Sequence, residues 1–103
     1  MNINNKHFLY YTIKYLTGDL NQFLSETNNS KKLAWLTNAL YHAYNIKLYR
    51  ETNKTLYFDR FNLCYVRIDD NVNEIIEIIK KYANNENVDD DVKGVIEYFN
   101  DFM

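Results

Sequence analysis

Proline is absent from this chain of 103 residues, and only two glycines, Gly18 and Gly94, are available to it. Turns therefore fall to other residues that tolerate a left-handed backbone. Asparagine is the natural substitute, and there are sixteen of them. The pairs Asn28-Asn29 and Asn84-Asn85 sit where apolar periodicity lapses and read as loops. A single cysteine, Cys64, excludes an internal disulfide. With no basic-then-apolar leader at the amino terminus, it points to a reducing, cytoplasmic setting. No apolar run exceeds about five residues, far short of the roughly 18 that span a bilayer. Two isolated glycines cannot build a phosphate-binding loop. His7, His42 and Cys64 fall at none of the spacings that hold zinc.

What is abundant is aromatic and apolar material. Apolar residues make up 47% of the chain and aromatics 17%, including ten Tyr and six Phe, enough for one core in a single domain spanning 1–103. Net charge is −2, divided unevenly: about +4 over residues 1–60 and −6 over 61–103. Such asymmetry marks either a nucleic-acid face beside an acidic one or two solvated faces that differ in sign.

Apolar residues at Leu9, Ile13, Leu16, Leu20, Phe23 and Leu24 form one helical stripe. Thr17-Gly18-Asp19 reads as a break between helices 6–16 and 19–26, since glycine ends helices and Thr or Asp caps them. The first of these is rich enough in aromatic and β-branched residues to form a strand instead. Ser30 is placed to cap a helix over 31–44, buried through Leu33, Leu36, Ala39, Leu40 and Ala43. The rhythm then changes to alternation. Ile46 and Leu48, then Leu56 and Phe58, predict a hairpin turning at Thr52-Asn53-Lys54, and a third strand follows over 63–68. Asp69-Asp70-Asn71 precedes a helix over 72–83, and a last helix runs over 90–102. The expected fold class is α+β, with helices flanking a three-stranded antiparallel β-meander in the order α-α-α-β-β-β-α-α.

In that register one sheet face is apolar, and Tyr49, Tyr57 and Tyr65 line up across the other with Arg67 at their edge. Tyrosine joins large contact area to low entropy cost and a hydroxyl that stays wet, so this face is the first candidate for partner binding. The acidic set Glu86, Asp89, Asp90 and Asp91 is the second, suited to a basic, nucleic-acid-binding protein. The same aspartates fail as a calcium loop, because the positions that need glycine and a bidentate glutamate hold Asp90 and Ile96. They read more simply as anions at a helix N-terminus.

Cys64 lies at a core position of its strand, where a thiol behaves as a small hydrophobe. His42 has no orienting carboxylate near it in sequence. No catalytic residue, metal ligand or cofactor site is therefore assigned, and the chain is read as a non-enzyme. An alternative makes helices 19–26 and 31–44 a helix-turn-helix with the hairpin as a wing, binding DNA through Lys31, Lys32, Asn38, Lys47, Arg50 and Lys54 as a homodimer.

The order of a leading helical part, a three-stranded meander and two closing helices, on a small Asn- and Tyr-rich chain, resembles that of small phage-encoded inhibitors, including anti-CRISPR proteins. The likeness is one of architecture and composition and assigns no residue. It implies a protein-protein interaction module that inhibits a host protein by steric or electrostatic blockade.

Overall fold

The computed structural model describes residues 5–52 and 68–101, with side chains over 8–49 and 68–101. Four helices are present among them: α1 (Asn5–Ser25), α2 (Asn29–Thr52), α3 (Ile68–Ala83) and α4 (Asp89–Asn100). There is no strand among the described residues. The expected α+β fold with an antiparallel sheet is overturned where it can be tested, because its first strand is helix. α2 continues through Ile46, Leu48 and Tyr49 to Thr52 without a change of geometry. The positions expected for the second strand and for most of the third fall outside the described residues. Ile68, the expected end of the third strand, instead opens α3 and is fully buried.

The reason is visible in the core. Leu36, Ala39, Ala43 and Ile46 are all completely buried, at spacings of three, four and three. Ile46 thus continues a 3.6-residue period. A four-residue window satisfies both periods, and packing against α1 selects the helical one.

The break expected at Thr17-Gly18-Asp19 is also absent. Thr17 turns its hydroxyl back onto its own helix, donating to Ile13 O at 3.0 Å and Lys14 O at 3.2 Å. This satisfies the side chain without opening the ladder. Gly18 sits exposed with open space beyond its Cα, so nothing requires it to end the helix.

α1 and α2 form an antiparallel hairpin through a short turn. Its cap is Asn28 rather than Ser30: Asn28 Oδ1 accepts from Lys31 N at 3.0 Å and Asn28 O from Lys32 N at 2.9 Å. Lys32 reaches back across the turn. Its Nζ donates to Phe23 O at 2.8 Å and Glu26 O at 3.2 Å, and lies 4.2 Å from the Phe23 ring centre. A cation on the last carbonyls of α1 satisfies orphan acceptors and complements the helix dipole.

α3 packs on α2 and α4 on α1, while α3 and α4 touch little. α3 ends as expected at Asn84-Asn85. Asn85 has φ 65°, its N–H reaches Tyr82 O, and Glu86 N reaches Lys81 O, both at 3.0 Å. That is a Schellman closure with asparagine in the glycine position. One cluster of buried side chains draws on all four helices, with Phe23 and Phe99 its largest members.

Candidate functional site

The surface of the α1–α2 hairpin is unusual in composition. Exposed positions on α1 from 8 to 25 are Tyr10, Tyr11, Lys14, Tyr15, Gly18, Asn21, Gln22 and Ser25. Those on α2 from 33 to 48 are Leu33, Ala34, Thr37, Asn38, Tyr41, Tyr44 and Leu48. Between them they carry one cation and no acid. Tyr11, Tyr15 and Tyr41 are 51, 59 and 63% exposed, large values for rings.

Where the two helices meet on this face, His42 Nε2 lies 3.1 Å from Asp19 Oδ2. The oxygen is sealed from solvent, with the imidazole nitrogen as its close polar neighbour. Burial raises the Asp19 carboxyl above its usual range, and the facing His42 offsets this only in part. Tyr15 stacks on the imidazole with ring centres 5.9 Å apart, and Tyr41 meets it edge-on at 5.7 Å. An acid and a histidine 23 positions apart are thereby joined beneath two tyrosines. The sequence shows nothing of this, because the pairing depends on α1 running unbroken past Asp19. Besides Asp19, what faces the imidazole is two aromatic rings.

The residues singled out from sequence are dispersed. Tyr49 does not stand on an outer sheet face. It is half-buried on α2 and stacks on Phe8 of α1 at 4.1 Å and 18°. These two rings, with Asn45 and Leu48, border an open groove of about 270 Å³. Tyr57, Tyr65, Arg67, Lys54 and Cys64 lie outside the described residues, as do the side chains of Arg50 and His7.

The acidic set is explained by α4 itself. Asp89, Asp90 and Asp91 occupy its first turn, where the helix dipole favours anions. Asn87 Oδ1 accepts from Asp89 N at 2.9 Å, and Asp91 Oδ2 faces Lys81 Nζ at 3.6 Å. Glu86 is exposed in the preceding turn. Of the proposed DNA-contacting residues, Lys31 and Asn38 are exposed. Lys32 closes α1, and Lys47 Nζ lies 3.1 Å from Asp69 Oδ1 of α3. Among the described residues no three His, Cys, Asp or Glu side chains gather as metal ligands, and no helix is long and apolar enough to cross a membrane.

The class defined is a helical hairpin with an aromatic, nearly uncharged outer face, buttressed by two further helices. Compared with known protein families, curated proteins and solved structures, the chain matches none.

Proposed function

We propose that this protein is a non-enzymatic protein-binding module of a reducing, cytoplasmic compartment that engages its partner through the outer face of the α1–α2 hairpin. The observation that carries the reading is the exposure of Tyr11, Tyr15 and Tyr41 on a surface whose other members are mostly amides and small residues. Tyrosine with Ser, Gly and Asn is the composition of antibody combining surfaces: rigid amphipathic rings supply area, and small polar groups supply adaptable hydrogen bonds. Exposed large apolar rings concentrated on one face mark interaction sites more often than chance exposure does.

Steric or electrostatic inhibition of another protein is the simplest action of such a module. The likeness in element order to phage-encoded inhibitors falls with the meander, so the reading rests on this surface alone. The winged-helix alternative loses the first strand of its wing to α2 and two of its cations to Asp69 and to the end of α1.

The test is capture from lysate of the native host, with and without nuclease, using the wild type and a Tyr11→Ala/Tyr15→Ala variant checked for helical content by circular dichroism. The reading expects a protein captured regardless of nuclease and lost on the double substitution. Capture that persists undiminished in the variant, or that requires intact nucleic acid, refutes it.

A further inference from the structure

We propose that α2 pairs with the α2 of a second copy of this chain through the outward seam Ala34, Thr37, Tyr41, Tyr44 and Leu48. The proposal rests on reading this face as an interaction surface and names the occupant of its α2 part.

These five residues recur at spacings of three, four, three and four, the a and d rhythm of a coiled-coil seam. All five are exposed, and the buried positions Leu36, Ala39, Ala43 and Ile46 lie on the opposite side of the helix. A surface helix normally turns a charged or polar face outward. α2 turns outward Tyr41 at 63% exposure, Leu48 at 59%, Tyr44 at 45% and, beside them, Leu33 at 40%. Thr37 donates its hydroxyl to Leu33 O of its own helix at 2.9 Å. What it presents to the seam is therefore chiefly a methyl group.

The residues flanking the seam identify the partner. They are Leu33, Leu40 and Lys47 on one side and Asn38 and Asn45 on the other. In coiled coils, charges at these positions set partner choice and orientation, and like charges facing each other oppose pairing. The one charge here, Lys47, faces Asp69 of its own chain. A seam with no charge to complement and none to repel is compatible with its own copy, and two-fold pairing sets the patch against itself. Of the acidic residues on α3, Asp69 reaches the edge of the seam, where its charge is met by Lys47 of the same chain.

The area is sufficient. Taking about 200 Å² for a whole aromatic side chain, the exposed parts of the seam and its flanks come to about 500 Å² per copy. The pair then covers about 1,000 Å², the lower bound for a specific interface, and its affinity belongs in the micromolar range. Tyr10, Tyr11 and Tyr15 lie outside the seam, so the dimer would present two α1 faces to other partners.

The experiment is sedimentation equilibrium of the full chain from about 1 to about 200 µM, spanning the expected dissociation constant. The monomer is 12.5 kDa, and the expected result is a shift toward twice that mass with rising concentration. Tyr44→Glu and Tyr41→Glu, both at exposed positions, should keep the helical circular dichroism signal and weaken the dimer at least about tenfold. A chain that stays monomeric throughout, or a dimer indifferent to both substitutions, overturns the proposal. A monomer whose lysate capture is abolished by Tyr44→Glu would show the seam to belong to a helix of another protein, overturning self-pairing while leaving the binding-module reading intact. If neither dimer nor capture depends on any of these tyrosines, both readings fall.

Discussion

Replacing Ile46 and Leu48 by alanine, one at a time, separates the helical course of α2 from the strand that alternation suggests. A strand puts both side chains on the core face, whereas α2 buries Ile46 completely and leaves Leu48 59% exposed. Removing a fully buried isoleucine to alanine costs about 2 to 5 kcal/mol in transfer and cavity terms. Alanine returns a few tenths of that through better helix propensity, so about 3 kcal/mol is expected for Ile46→Ala. Leu48 has roughly 40% of its surface covered, and leucine and alanine differ little in a helix, so Leu48→Ala should cost about 1 kcal/mol or less. For a domain of about 100 residues each kcal/mol moves Tm by about 4 to 8 °C. The first variant should therefore melt about 12 to 24 °C lower and the second within about 8 °C of the parent. Urea denaturation followed by circular dichroism, with the slope checked to be unchanged, supplies the free energies. Equal losses at the two positions would refute the helical assignment, whatever their size.

Lys32→Met should lower stability by about 1 to 2 kcal/mol, because it deprives the last carbonyls of α1 of a charged donor while keeping the apolar stem. Salt should narrow the difference, and urea melts at low and high ionic strength would show it. Asn85→Gly should be neutral or slightly stabilising, since φ is 65° there, whereas Asn85→Val should cost about 1 to 2 kcal/mol in the same assay. The Asp19 carboxyl titrates above 3.8 in the folded protein, so its contribution to stability is fully present below pH 3.8 and is lost as pH rises through its folded value. Asp19→Asn should remove that loss. The two stability profiles should converge at the acid end and separate above it with the variant the more stable, and carbon-detected NMR of the Asp19 carboxyl should place its midpoint above 3.8.

The closing half of the molecule was legible in the sequence because its signals are local. Val92, Val95, Ile96 and Phe99 carry the helical period of α4 and are all buried, and asparagine stands where absent glycines would have closed α3. α3 departs from expectation at its start, opening at Ile68 rather than at 72, and it buries Ile78 at 2% exposure beside Val72 and Ile75. The helix is apolar enough to bury two flanks.

The leading half misled for a physical reason. Gly18, Thr17 and Asp19 together form a strong stop signal, yet the helix runs through them: Thr17 bonds to its own backbone and Asp19 faces a histidine on the neighbouring helix. α2 is apolar on both its inner and its outer side, which blurs the one-sided pattern that distinguishes helix from strand. For that reason Leu33 reads as core and Leu48 as sheet, and both are exposed.

The candidate site was not legible as a site. Tyr15, Asp19, Tyr41 and His42 are unremarkable where they stand in the chain, and they converge only when α1 and α2 lie side by side. By itself the sequence determined the helical segments whose apolar period runs long enough to exclude a strand, the turns that asparagine closes, and an aromatic content ample for one small core. Only the tertiary structure decided which aromatic rings stay outside. Exposure is set by the angle at which each helix meets its neighbours, and that angle depends on residues far apart in the chain.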